Sequence, residues 1–166
     1  MTENTFKAFA SRLCCRPDAV AHIEGSSGYP GVNGSVRFYQ TPRGVIVASE
    51  VHSLPDKGSP ARSGVFGFHI HSGKCCTGNA DDPFADAGMH YNPDELAHPY
   101  HAGDLPPLFS SCGYAFGIFL TNRFSLDEVI GRTVIIHAQP DDFTTQPSGN
   151  SGEKLACGKI ISVCGN

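Results

Sequence analysis

Seven side chains that can bind metal lie between residues 69 and 137, in three short motifs and at one strand end. Histidine is the commonest metal ligand in proteins, because its neutral ring binds through either nitrogen. The members are His69, His71, His90, His98, His101, His137 and Asp104. A His-x-His pair, a His-x-x-His-x-x-Asp run and a separate strand-end histidine are too many elements for chance packing. The sequence therefore predicts bound metal, and more than one ion. His22 and His52 each stand alone in a predicted strand and are interpreted as structural or surface groups.

The His-x-His pair predicts half of a chelate on a strand. Residues two apart in a strand point to the same face, so His69 and His71 would lie side by side while Ile70 points to the core. His137 ends another apolar run, residues 133–136. If that strand neighbours the first, a third imidazole joins the pair.

The other candidate ligands fall in residues 72–113, which show no strand pattern. A loop of that length in a compact domain is usually functional or disordered. His90, His98, His101 and Asp104 supply three nitrogens and one carboxylate, which suits tetrahedral zinc, whereas sets made only of nitrogens favour Cu(II). Seven side chains fill two four-coordinate sites only if one imidazole is shared, and the spacing does not identify which one.

The composition describes about one domain of 166 residues with a net charge of −4. No basic cluster indicates nucleic acid, and no apolar run approaches the roughly 20 residues that span a bilayer. The first residues lack the basic and apolar regions of a signal peptide, so we expect a cytoplasmic location.

Short alternating segments and many turn residues predict an all-β sandwich or barrel of seven or eight strands. The chain has 19 glycines and 12 prolines, and a turn at residues 41–44 predicts a hairpin. The predicted strands are residues 19–24, 35–40, 44–51, 65–71, 114–120, 133–138 and 155–163. Two helices are predicted: residues 4–15, with Phe6, Phe9 and Leu13 as a stripe docked on the core, and residues 125–130, with Ser125 as N-cap and Glu128 three residues on.

The seven cysteines are an odd number, so at least one stays free or pairs between chains. No Cys-x-x-Cys motif is present, which argues against a thiolate zinc ribbon. Free thiols usually behave as small buried apolar groups. We expect that of Cys14, Cys15, Cys112 and Cys164.

Six stretches of the chain together resemble the copper/zinc superoxide dismutases of the bacterial type. They are GFHIH (67–71), GMHYNP (88–93), His98 with HAGDL (101–105), GRTVIIH (131–137), DD (141–142) and GNSGEKLACG (149–158). The resemblance runs from about residue 19 to the end, so residues 1–17 would be an N-terminal extension and residues 18–166 the dismutase-like domain. It implies an eight-stranded antiparallel Greek-key β-barrel or sandwich with long metal-binding loops.

The resemblance also implies the ligand sets. Copper would be bound by His69, His71, His90 and His137, and zinc by His90, His98, His101 and Asp104, with His90 bridging both ions. Asp141 would join His69 to His98 from outside the ligand shell. A disulfide would link Cys157 to Cys76, with Cys75 left open as the alternative. A reducing cytoplasm opposes such a bond and conflicts with the expected location.

The implied activity is dismutation of superoxide to oxygen and hydrogen peroxide by Cu(II)/Cu(I) cycling, with structural zinc and a proton carried by His90. Lys154 stands where the family usually has arginine. Lysine keeps the charge that attracts the superoxide anion but loses the planar donor, so we expect reduced activity. Alternatives are a zinc-only or metal-storage protein of the same fold, a copper chaperone and a β-sandwich binding module. Superoxide is the expected partner, and a homodimer stays open.

Overall fold

The computed structural model describes residues 3–55 and 63–163, and shows nine strands and two α-helices there. The elements are α1 (Glu3–Leu13), β1 (Ala19–Gly25), β2 (Asn33–Thr41), β3 (Gly44–His52), β4 (Ser63–Phe66), β5 (Phe68–His71), β6 (Leu108–Ser111), β7 (Tyr114–Thr121), α2 (Leu126–Val129), β8 (Thr133–His137) and β9 (Lys154–Ser162), with a single 3-10 turn at Ala85–Ala87.

The strands pair antiparallel in the order β4-β6-β7-β3-β2-β1-β9-β8-β5. β4 and β5 follow one another in the chain yet lie at opposite ends of this order, so the sheet nearly closes on itself. The all-β barrel class is therefore confirmed. The hairpin predicted at residues 41–44 is also present, because Thr41 pairs with Gly44 between β2 and β3.

The strand count differs from eight because the predicted strand at residues 65–71 is broken at Gly67. Phe66 pairs with Leu108 of β6, whereas Phe68 pairs with Ile136 of β8. The chain changes partners at this corner, where a Cβ on Gly67 would meet the Ser151 side chain at 3.0 Å.

A second difference is β6, which lies inside the segment predicted to have no strand. Four residues after two prolines carry too little alternation to be recognised, but pairing with β4 and β7 makes them a strand. The β6–β7 turn holds Cys112 at a φ of 51°, in the left-handed region.

The expectation of buried free thiols was wrong for three cysteines. Cys112 is exposed because it occupies that turn, and Cys14 and Cys15 are exposed just beyond the last residue of α1. Cys164 lies outside the described residues.

The two faces of the sheet are covered differently. Phe38, Val45 and Val47 point inward into the main core. Tyr39, Ile46 and Ala48 alternate with them and so point outward, where Phe9 and Leu13 of α1 pack on them. The predicted helical stripe thus lies on the outside of the barrel; the side chain of Phe6 falls outside the described residues. Within the described chain, no helix is long and apolar enough to cross a membrane.

At the short helix α2, the Glu128 carboxylate accepts a hydrogen bond from the main-chain nitrogen of Ser125 at 2.6 Å. This is the reciprocal contact of a capping box, in which the residue three positions on bonds back to the N-cap nitrogen.

Candidate metal centre

The first group of candidate ligands is assembled by two paired strands and one loop. β5 carries His69 and His71 and pairs with β8, which ends at His137. The Nε2 atoms of His71 and His137 are 3.2 Å apart, and the rings of His69 and His90 have centroids 3.9 Å apart. One nitrogen of each of these four histidines lies within 4.8 Å of the others.

The second group surrounds the carboxylate of Asp104, which is buried. Its oxygens lie 2.7 Å from His90 Nδ1, 3.0 Å from His98 Nδ1 and 3.3 Å from His101 Nδ1. Three nitrogens and one carboxylate therefore converge on a single point, as the sequence pattern predicted for a zinc site. His90 belongs to both groups.

The loop that carries the second group is tied to β5 by main-chain hydrogen bonds. Ile70 donates from its nitrogen to the Gly103 carbonyl at 2.9 Å and accepts from the Tyr91 nitrogen at 2.8 Å. A Cβ at Gly103 would lie 2.2 Å from the Ile70 carbonyl oxygen, so only glycine allows this approach. The His69–Asp104 and His71–His90 bridges bring the two groups side by side.

Arg123 supports the same loop and was missed by the sequence analysis. Its Nη1 donates to the carbonyls of Pro99, His101 and Asp104 at 3.0, 3.3 and 3.1 Å. The partners of Arg123 are main-chain atoms, so no residue type or spacing in the sequence predicts these contacts.

Unpaired nitrogens show where ions fit. Buried polar groups are nearly always hydrogen-bonded, and leaving one unpaired is costly. Four buried imidazole nitrogens make no hydrogen bond of acceptable geometry, although the last two lie close to the Asp104 carboxylate: His69 Nδ1, His90 Nε2, His98 Nδ1 and His101 Nδ1. They lie at the two points of convergence, so two metal ions would satisfy them.

In four of the candidate ligands, the second ring nitrogen contacts an acceptor outside the ligand groups. Asp141 contacts His69 Nε2 at 2.7 Å and His98 Nε2 at 2.9 Å. The Nδ1 atoms of His71 and His137 lie 2.8 and 3.2 Å from the carbonyls of Gly88 and Gly152. Such outer contacts fix the tautomer and the orientation of a metal-binding ring.

The protonation states suit metal binding, which needs neutral imidazoles and ionised carboxylates. Burial and the neighbouring His137 lower the pKa of His71 well below its usual value. Burial and the nearby His69 lower the pKa of His137 to about 3. Although burial raises the pKa of Asp141, hydrogen bonds from His69, Phe143 and His98 outweigh it and lower the pKa to about 2.

A cavity of about 360 Å³ opens over the first group, next to His71, His90 and His137. Lys154 lines it and lies directly across from His137 in the β8–β9 pairing. Its ammonium group forms an ion pair with Asp82, a residue that the sequence analysis did not single out.

The disulfide joins Cys76 to Cys157, with the Cα atoms 5.7 Å apart, and Cys75 is free and exposed. The pairing favoured by the resemblance is therefore present. Phe84 packs beside this bond against Ile135 and Cys157, so the residues after Cys76 are anchored on β8 and β9.

The chain forms an antiparallel barrel with two adjoining histidine-rich sites that share one imidazole. This arrangement defines a class of two-metal β-barrel proteins. The family model described as copper/zinc superoxide dismutase matches residues 32–160. A superoxide dismutase [Cu-Zn] from Legionella pneumophila is 33% identical over 158 residues, covering 90% of this chain and 91% of the relative. A protein of the same name from Deinococcus radiodurans is 34% identical over 151 residues, covering 80% of this chain and 79% of that one.

A solved structure agrees with the sequence relatives. The Cu/Zn superoxide dismutase from Brucella abortus superposes with a TM-score of 0.71 at 25% identity, covering 85% of this chain and 98% of the other. The chain belongs to the copper/zinc superoxide dismutase family.

Proposed function

We propose that this chain is a superoxide dismutase, which converts two superoxide anions and two protons into one oxygen molecule and one hydrogen peroxide molecule. The observation that carries the proposal is His90. Its Nδ1 faces the Asp104 group and its Nε2 faces the His69 group without a hydrogen-bond partner. One ring therefore joins two sites of different donor sets.

The donor sets separate the two ions. Copper would be held by the first group, His69, His71, His90 and His137, and zinc by the second group, His90, His98, His101 and Asp104. Nitrogen-only sites favour Cu(II), and a set of three nitrogens with one carboxylate suits zinc. Bound copper would supply the one-electron exchange that each superoxide needs, and a zinc ion in the second group would be bound by the shared ring.

The protein contributes orientation and a proton position. His90 Nε2 is buried beside the cavity and is the atom that can hold a proton in the reduced state and release it to the peroxide product. The ring stays in place because its Nδ1 belongs to the second group. The cavity admits a small anion beside His137 and Lys154.

The test begins with copper- and zinc-loaded protein and compares superoxide loss with free-metal controls by pulse radiolysis. We expect fast dismutation, together with an electron paramagnetic resonance spectrum of Cu(II) bound to nitrogen. His137→Ala should abolish dismutation and alter the Cu(II) spectrum, because one of four nitrogen ligands is lost, while His52→Ala, at an exposed histidine of β3, should change neither. A nitrogen-bound copper signal without dismutation would contradict the proposal and favour a metal-binding protein of this fold.

We also propose that a second copy of the chain covers the outer face of β6 and β7. Large exposed apolar patches on soluble proteins mark interaction surfaces. The outer row of β7 and its neighbour on β6 are exposed by 41–69%: Phe109, Tyr114, Phe116, Ile118 and Leu120. α1 covers Ile46 and Ala48 on the adjacent strand β3, but this row continues the apolar surface beyond the residues that α1 is seen to cover.

Sedimentation velocity at micromolar concentration tests the dimer. Phe116→Lys should shift the protein to monomer, because the patch would have to bury a charge. Tyr100→Lys, at an exposed aromatic residue outside the patch, should leave the dimer intact. A monomeric parent protein would contradict the proposal.

A further inference from the structure

The cavity over the copper ligands is lined by more acidic than basic side chains. Asp81, Asp82 and Glu153 carry three negative charges, and Lys154 carries one positive charge. The net charge of this lining is therefore −2. A cleft of one sign repels ions of the same sign, and steering of this kind changes association rates by about 10- to 1,000-fold.

Lys154 does not offer its charge to the cavity, because Asp82 holds it. The Lys154 ammonium donates a hydrogen bond to Asp82 Oδ2. The two side chains are 15% and 38% exposed, so solvent screens the pair only in part. Asp82 lies on a different segment of the chain, 72 positions before Lys154.

Asp82 is held in place by its own loop. Its second carboxylate oxygen, Oδ1, accepts from the Phe84 nitrogen at 3.0 Å. Its carbonyl accepts from the nitrogens of Asn79 and Ala85 at 2.9 and 3.1 Å. Phe84 is in turn buried against the disulfide-bonded Cys157. The carboxylate is therefore a fixed group rather than a mobile counterion.

Glu153, next to Lys154 in the chain, is engaged elsewhere. Its carboxylate accepts a hydrogen bond from the Tyr29 hydroxyl at 2.7 Å, and Tyr29 does not line the cavity. The ion pair that neutralises Lys154 is thus the one with Asp82.

We propose that Asp82 is a positioning residue that neutralises Lys154 and restrains anion entry to the copper site. The proposal rests on the proposed function and specifies how its substrate, an anion, is received. Removing the Asp82 charge frees the lysine to turn toward His137 and lowers the negative charge of the lining from −2 to −1.

Azide binding to the copper-loaded protein tests this without turnover, since azide is a small anion whose complex with Cu(II) is read from visible absorption. One unit charge at roughly 6 Å in water changes anion affinity about threefold, and the freed lysine adds to that. Asp82→Asn should therefore lower the azide dissociation constant about three- to tenfold. Asparagine keeps the oxygen that accepts from Phe84, so the loop should fold.

Asp81→Asn is the matched control, because it removes the same charge from the same lining but not the partner of Lys154. If it changes azide affinity as much as Asp82→Asn, the proposal fails. Lys154→Gln should weaken azide binding more strongly in the Asp82→Asn background than in the parent, since only there is the lysine free. Equal effects in both backgrounds would also overturn the proposal.

Ionic strength provides a second comparison of the two proteins. Raising it with a weakly coordinating salt should weaken azide binding to Asp82→Asn more than to the parent protein, because the bound ions are the same in both and the variant's lining has one negative charge fewer and a freed lysine. An equal salt dependence in the two proteins would contradict the proposal. If the variants show the expected differences in azide affinity but the parent protein does not dismutate superoxide, only the proposed function is rejected. If dismutation is normal but those differences in azide affinity are missing, only the role of Asp82 is rejected.

Discussion

At the residue scale, the two nitrogens of a ligand imidazole have different functions. One can bind an ion, and the other is held by a neighbouring acceptor, as the contacts of Asp141 show. One carboxylate holds His69 and His98, one ring from each group. Asp141→Asn replaces one charged acceptor with a donor and removes half of this support. Loss of such outer contacts typically weakens metal affinity 10- to 100-fold, so we expect zinc affinity to fall by about that factor in a chelator competition titration.

Asp142→Asn is the control for that prediction. The Asp142 carboxylate accepts from the nitrogens of Thr144 and Thr145 at 2.9 and 2.8 Å and lies in an exposed turn. Its replacement should leave zinc affinity unchanged. Equal loss in both variants would show that the loop, rather than the contact to the two rings, determines affinity.

The candidate ligands and Asp141 could be named in advance because their types and spacing match the family pattern, while the other supporting residues could not. Arg123 acts on main-chain carbonyls, and Asp82 meets Lys154 only because the disulfide loop folds against β9. A residue whose partner is a carbonyl or a distant charge leaves no periodic signal. The reduced activity expected from Lys154 was based on its shape, whereas the structure points to its partner.

At the element scale, the disulfide anchors the loop that carries Asp82. It joins residues 81 positions apart, and closing a loop of that size removes about 4 kcal/mol of unfolded-state entropy in the chain model. Cys157→Ser should therefore lower the free energy of unfolding by about 4 kcal/mol in guanidinium titrations.

Cys75→Ser is the matched control, because Cys75 is exposed and unpaired next to Cys76. It should leave the unfolding midpoint unchanged. A similar loss in Cys75→Ser would mean that the two adjacent cysteines exchange as partners of Cys157. The cytoplasmic location stays a prediction, and the redox state of this bond in cells would bear on it directly.

The helix α1 makes a contribution that the family pattern does not contain. Phe9 and Leu13 pack on Tyr39, Ile46 and Ala48 of the barrel. Leu13→Ala should lower the free energy of unfolding by about 1–2 kcal/mol, as for a half-buried leucine. Ser11→Ala, at an exposed position of the same helix, should change it by less than about 0.5 kcal/mol. Equal unfolding curves for both variants would show that the helix adds no stability.

Most strands of the barrel could be predicted from alternation, because one face of each lies in a continuous core. The pattern failed where pairing, rather than composition, makes the strand. β6 is four residues long and exists through its partners, and Gly67 splits one apolar run because its two sides pair with different strands. Partner choice is a property of the closed barrel and leaves no local trace.

At the scale of the whole molecule, the barrel buries a cluster of histidine rings, which stay neutral when no metal is bound. His137 has a pKa lowered from 6.5 to about 3, and the pKa values of His69 and His71 are also lowered by burial. At pH 7 these rings are neutral in both the folded and the unfolded chain. Below pH 6.5 these histidines bind protons in the unfolded chain but not in the folded chain, because their folded pKa values are lower. Acid therefore favours unfolding.

The metal-free protein should therefore lose stability as the pH falls from 6.5 toward about 3, the folded pKa of His137, by up to about 1.4 kcal/mol per pH unit for each of these three histidines. Asp141 adds a further loss only below pH 3.8, the usual pKa of its carboxyl group. Urea unfolding in the presence of a chelator at pH 7.5, 6.5, 5.5 and 4.5 measures the slope. His137→Gln should flatten it, while His52→Gln, on the exposed surface of β3, should not. A free energy of unfolding that stays constant across this range would mean that the buried rings accept protons without opening the barrel.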